Sequence, residues 1–357
     1  MWLRISYYPK KEECTLELSR RTFLKAAGAA ATLAAVPGEA LADRWSGTKA
    51  VRLPDPLVQV LDDRFLKYQV GLAVIERLWT GCRWAEGPVW FGDWRVVIWS
   101  DIANNRMLKW DEETGQVSIF RKPSNFANGN ARDNQGRLIT AGHGGARCIT
   151  RTEYDGAITV ICDQYNGKRF NSPNDVVVKK DDSIWFSDPP FGISGHYEGY
   201  KATPELPHAV YRWDARTGQV AMLTDDIKGP NGLCFSPDEK TLYVIEARTT
   251  PRQIRVFDVV DNGAKIANSK VFVTCGAMVP DGMRCDRDGN LWVGMGGGEG
   301  NDGVGVYAPD GKMIGKINIP ERVANLCFGG AKRNRLFMAG TTSLYSLYTD
   351  AQGATLG

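Results

Sequence analysis

The sequence predicts an all-β fold, a six-bladed β-propeller of four-stranded antiparallel blades. Three observations predict it. First, six times a single polar residue stands just ahead of a short apolar strand: Glu86 in EGPVW, Asn128 in NGNAR, Asn174 in NDVVV, Asn231 in NGLCF, Asp281 in DGMRC and Asn325 in NLCFG. The intervals are 42, 46, 57, 50 and 44 residues, the period of an array of small sheets. Second, tight-turn segments recur late in the repeats: DEETGQV at 111–117, EYDGAIT at 153–159, DARTGQV at 214–220 and APDGKMI at 308–314. Third, the chain ends complement each other. The last repeat stops after Ser343-Leu344-Tyr345-Ser346-Leu347 with no fourth strand, and a spare strand, YQVGLAVIERLW at 68–79, precedes the first repeat. Pairing the two closes the ring and removes two exposed edges.

Each repeat then reads in the same order. The polar residue opens an inner strand, as in GPNGLCFSPD or VPDGMRCDRDG. A Gly/Asp/Asn-rich turn leads to an apolar second strand such as TLYVIE or NLWVGM, then to a third such as AVYRWD or GVGVYAPD. The second tight turn leads to a fourth strand. Gly and Asp at the turns supply positive φ and local hydrogen bonds. Period-2 strands at this spacing, with no long helical pattern, exclude a mixed α/β reading. The tryptophans, such as Trp90, Trp110, Trp185 and Trp292, fit packing between blades.

Residues 1–42 are set aside as an export signal. Ser19-Arg20-Arg21-Thr22-Phe23-Leu24-Lys25 precedes an apolar small-residue run from Ala26 to Val36 and then Ala40-Leu41-Ala42, in the order of basic pair, apolar core and cleavage site. It resembles a twin-arginine signal, which makes the twin-arginine export machinery a partner and the location periplasmic or secreted. Residues 43–66, with Pro54 and Pro56, form a peripheral lead-in, and 67–357 form the propeller with no second-domain boundary. Nothing else approaches the roughly 20 apolar residues that span a bilayer.

Removing 1–42 takes away six Lys/Arg and four Asp/Glu and leaves 38 against 37. Near neutrality without a basic run excludes nucleic acid as partner. Seven cysteines remain at irregular spacing with no C-x-x-C, which is neither a disulfide framework nor a zinc ribbon. Cys148 and Cys162 flank one hairpin, where a disulfide is compatible with an oxidising compartment. G-x-S-x-G and H-E-x-x-H are absent, so serine-hydrolase and zincin chemistry have no support.

In a propeller the inner strands line the channel, so the six polar residues gather at its mouth. Glu86 and Asp281 are the two carboxylates and the other four are amides. Hard oxygen donors suit Ca²⁺ first, with Mg²⁺, Mn²⁺ or Zn²⁺ as alternatives. Four protein ligands drawn from the six would leave positions open for water and substrate, as a catalytic metal needs. Asn128 borders the pocket and Asn325 shapes its turn. Asp101 and Asp188 end second strands near the same mouth, where they either position substrate or hold a turn. His143, in AGHGGAR, borders the pocket too. The insertion 192–208, which holds His196 and His208, makes the interval from Asn174 to Asn231 the longest and is a candidate lid.

W-A-E-G-P-V-W at 84–90, S-P-N-D-V-V-V at 172–178, W-F-S-D-P-P-F-G at 185–192, P-N-G-L-C-F-S at 230–236 and P-D-G-M-R-C-D at 280–286 resemble the SMP-30/gluconolactonase family, closest to its bacterial gluconolactonase branch. The likeness runs from about residue 70 to 345. It implies a six-bladed propeller with one divalent metal, commonly Ca²⁺, that hydrolyses lactones of sugar acids. By motif it implies Glu86, Asn231 and Asp281 as metal ligands and Asn174 as a ligand or substrate contact. Asp281 is then either the general base or a ligand only, with a metal-bound water attacking. One departure stands out: animal members carry a sugar-contacting arginine two residues before the asparagine matching Asn174, and this chain has Ser172. Two alternatives to a lactonase remain, a phosphotriesterase-like hydrolase on the same site and a non-catalytic, metal-stabilised binding propeller.

Overall fold

The computed structural model of the protein describes residues 44–46 and 51–354. The export signal at 1–42 lies outside the described residues. Six antiparallel sheets follow one another along the chain as blades 1 to 6, at 85–121, 127–162, 176–224, 230–274, 279–318 and 323–348. In every sheet the first strand of the repeat lies at one edge. These inner strands, from Ala85–Phe91 to Val323–Gly329, touch in sequence order, and the sixth touches the first. The ring is closed and the expected fold is observed.

Closure uses the spare N-terminal strand, in shorter form than expected. Glu76–Thr80 pairs antiparallel with Ser343–Tyr348 as the outermost strand of blade 6. The start of the expected strand does something else: Tyr68 ends a 3-10 helix, Asp63–Tyr68, and Gln69 makes a single bridge to Thr349. The lead-in also adds a fifth strand to blade 5, where Val58–Val60 pairs with Met313–Asn318. Buried Asp55 organises this segment by accepting from the Leu57 and Ile75 amides at 3.0 and 2.9 Å and from Arg44. Leu57, Phe65 and Tyr68 then pack into one core cluster with Trp292 and Ile317. The extra strand covers an edge that would otherwise offer unpaired backbone.

The inner strands share a device that aims their polar residues. Register shifts fall between Glu86 and Val89, Ala127 and Asn130, Pro230 and Leu233, Pro280 and Met283, and Val323 and Asn325. A bulge there bends the strand and redirects a side chain. In blade 3 ladder pairing starts only at Val176, two residues after Asn174. The residue after the polar one is glycine in four blades for a steric reason. A Cβ on Gly87 or Gly129 would overlap the carbonyl of Asn128 or Asn174 on the next blade, and one on Gly232 would overlap the Asp281 carbonyl.

Aromatic side chains fill the spaces between blades, as expected for most of the tryptophans. Trp90 stacks on Phe337 at 5.7 Å, Trp185 meets Phe235 edge-on at 5.0 Å and Trp292 meets Phe328 at 5.3 Å. All seven described cysteines are free thiols, Cys148 and Cys162 among them. No described helix is long and apolar enough to cross a membrane.

Candidate active site

Five of the six recurrent polar residues, Glu86, Asn128, Asn174, Asn231 and Asp281, line one cavity of about 350 Å³. All five are buried. The sixth, Asn325, sits behind them, accepting from the Leu326 amide at 2.8 Å and hydrogen-bonding Glu86. Glu86 also accepts from the Gly87 amide at 2.8 Å. Burial is the main reason the Glu86 carboxyl is pushed well above its ordinary range, and the nearby charges of Asp281 and Asp175 add to it. Asp281 is raised as well by burial, opposed by Arg322 and Asn231. Arg322 donates to its Oδ2 at 2.5 Å and Asn231 Nδ2 to its Oδ1 at 2.7 Å.

The donor set fits a hard divalent cation. Two carboxylates supply the charge and neutral amide oxygens the rest of the shell. One buried oxygen, Asn128 Oδ1, has no hydrogen-bond partner, which is costly unless something electropositive faces it. Among the described residues no group of three or more His, Cys, Asp or Glu is placed to hold a metal.

The insertion reaches the cavity with Ser194 and Glu198, and Phe191 just before it lines the cavity too. It docks on blade 2 through glycines. Gly199 bridges Gly144, and the Tyr200 amide donates to the Gly144 carbonyl at 3.1 Å. A Cβ on Gly144 would overlap the Gly192 carbonyl and lie 2.6 Å from that of Glu198. His143 is fully buried behind this contact, with Nδ1 3.2 Å from the Pro173 carbonyl and Nε2 3.2 Å from Glu198 Oε2. It reaches the cavity through Glu198 rather than directly.

The family model for the SMP-30/gluconolactonase/LRE-like region matches residues 84–342. The chain belongs to that family. A gluconolactonase of Zymomonas mobilis is 32% identical over 303 residues, covering 78% of this chain and 82% of its own. The solved structure of a gluconolactonase from Xanthomonas campestris is 36% identical with a TM-score of 0.76, covering 82% and 94%. A pentonolactonase of Haloferax volcanii is 26% identical, covering 72% and 82%. A twin-arginine translocation signal matches residues 17–37, which directs export to the periplasm or beyond.

Around the cavity of this SMP-30/gluconolactonase-family chain, two carboxylates take one of the two roles expected of them and other lining residues were not expected. The Asp101 and Asp188 carboxylates hold turns and do not line the cavity. Asp101 accepts from the Arg83 amide at 3.0 Å, Asn104 and Arg106, and Asp188 from the Asn171 and Ser172 amides at 2.8 and 2.7 Å. Ser172 Oγ donates to the Pro189 carbonyl and accepts from the Gly192 amide, so it fastens the root of the insertion. Trp84, Glu198, Arg248, Arg252 and Arg322 line the cavity and were missed. Trp84 opens the first family motif and Glu198 lies in the flagged insertion, so both left a trace. The arginines sit in loops that carry no repeat signal.

Proposed function

We propose that the protein is an exported lactonase that opens the lactone of a sugar acid, using one divalent cation held by Glu86, Asn174, Asn231 and Asp281. The observation that carries this reading is the buried Glu86–Asp281 pair beside the unpartnered Asn128 Oδ1 on the cavity floor, in a chain with gluconolactonase relatives. Ca²⁺ is the first choice of ion, with Mg²⁺, Mn²⁺ or Zn²⁺ as alternatives. When bound, the cation supplies Lewis-acid polarisation of the lactone carbonyl.

The chain's own residues do the rest. Asp281 takes a proton from the attacking water as its oxygen bonds to the carbonyl carbon, and returns it to the ring oxygen as the acyl–oxygen bond breaks. Arg322, donating to its Oδ2, keeps the carboxylate oriented for that role. Asn128 and Asn174 orient the substrate. Trp84 and Phe191 wall the cavity against bulk water, and His143 fixes Glu198 and hence the lid. The competing role for Asp281 is that of ligand alone.

The test assays the purified mature protein on a panel of aldonolactones and a fluorophosphonate after EDTA treatment, with each cation restored in turn. Cation-dependent lactone turnover is expected. Turnover of the fluorophosphonate alone would favour a phosphotriesterase, and a stoichiometric cation without turnover would favour a binding propeller. For Asp281→Asn, retention of most lactonase activity with the cation still bound would remove the base role.

A further inference from the structure

We infer that the substrate carries a second acid group, a carboxylate or a phosphate, away from the reacting carbonyl, and that Arg252 and Arg248 anchor it. This rests on the lactonase reading and specifies its substrate class. The charged side chains lining the cavity are Glu86, Glu198 and Asp281 against Arg248, Arg252 and Arg322. Most of these are already engaged. Arg322 pairs with Asp281, and Glu198 meets His143. Glu86 and Asp281 are the proposed cation ligands. Arg252 and Arg248 remain, and neither guanidinium makes an ion pair or hydrogen bond among the described residues.

Both arginines are nevertheless held in place. They flank the loop joining Thr241–Glu246 to Gln253–Val260 in blade 4. The Arg248 amide donates to the Lys228 carbonyl at 2.9 Å, and the Arg252 carbonyl accepts from the Cys275 amide at 2.9 Å. The Arg248 side chain crosses Gly229, where a Cβ would come within 2.8 Å of its Cγ, and its guanidinium lies 5.1 Å from the Phe191 ring centroid. The pair is thus anchored at the backbone and open at the charged end, the arrangement that suits bidentate recognition of a carboxylate or phosphate. Three carboxylates balance three guanidiniums in the lining, so a divalent cation leaves the loaded cavity with a positive excess. A neutral aldonolactone leaves that excess unmatched, whereas an acid lactone matches it.

The test compares kcat/KM of the cation-loaded protein for glucono-δ-lactone with that for a glucarolactone bearing a free carboxylate and for 6-phosphogluconolactone. We expect one of the acid lactones to be preferred by at least about tenfold, the worth of one charge-assisted contact. The better of the two identifies the acid group. Arg252→Gln should lower that preference about tenfold through KM, Arg252→Lys should restore most of it, and Arg248→Gln should act in the same direction. A ratio of two substrates on one preparation is insensitive to the fraction folded. Equal rates on neutral and acid lactones, or a preference that survives both Gln variants, would overturn the inference and leave the lactonase reading standing. Turnover of no lactone would overturn both.

Discussion

Two layers of buried charge share the propeller channel, and they are built differently. In the deeper layer Asp175 and Arg284 face each other at 3.0 and 3.3 Å. The Val176 amide adds a bond to Asp175 at 3.0 Å, and Arg284 also donates to the Met283 carbonyl at 2.7 Å. At the mouth, Glu86 and Asp281 are just as buried but repel each other, and an amide oxygen beside them has no donor. Breaking a pair completed within the protein leaves an uncompensated buried charge, whereas removing the Glu86 carboxylate, which has no ion-pair partner among the described residues, leaves none.

The sharpest way to break that contrast is to remove one member of each layer. Arg284→Met leaves Asp175 buried and unpaired, and should cost about 3–5 kcal/mol in denaturant unfolding. Adding Asp175→Leu should recover a large part of it. Glu86→Gln removes a repelled charge instead. Its unfolding free energy should stay within about 1 kcal/mol of the native value or rise, while affinity for the divalent cation falls about 100-fold, or about 2.7 kcal/mol. Comparable stability losses at both sites would erase the distinction.

A further buried carboxylate tests the same idea by pH. Burial pushes Asp188 up to about 7, although two backbone amides and Arg147 favour its charged form. A raised carboxylate pKa means that the folded protein holds the proton longer than the unfolded chain does. Its contribution to stability is therefore complete below the ordinary value of 3.8 and is lost as pH rises towards about 7. The slope should approach about 1.4 kcal/mol per pH unit inside that window. Unfolding curves across it should show stability falling in the native protein and a flatter profile in Asp188→Asn. Parallel profiles would mean that the turn carries no such linkage.

The blade count and five of the six axial residues were legible because they recur, four of the five before a glycine that the next blade crowds, and the closing strand because the last repeat lacks its fourth. What does not repeat stayed hidden. Val58–Val60 is too short to alternate, so the fifth strand of blade 5 read as lead-in. Asp175 and Arg284 are 109 residues apart and become partners only when the ring closes. His143 was placed at the cavity border from its position at a strand end, but the insertion folds over it and puts Glu198 in front. Asp101 and Asp188 illustrate the other limit: strand-end carboxylates near a mouth look alike in sequence whether they turn towards the cavity or back to the loop amides.

The lid offers the mildest test, because it works by contact rather than charge. Gly144 and Gly199 approach so closely that no side chain fits between blade 2 and the insertion. Gly144→Ala should push the insertion outward, since the Gly192 and Glu198 carbonyls in its way are backbone and cannot rotate aside. Glu198 would then leave His143, and Phe191 would no longer seal the cavity. The expected result is a fall of about tenfold in kcat/KM, near 1.4 kcal/mol, carried mainly by KM, with cation affinity close to native because Glu86, Asn231 and Asp281 are held by the bulged inner strands of blades 1, 4 and 5. Loss of cation binding in step with activity would instead show that the lid and the axial site form one unit, and that the ligand shell depends on contacts from above as well as on the bulged strands that carry it.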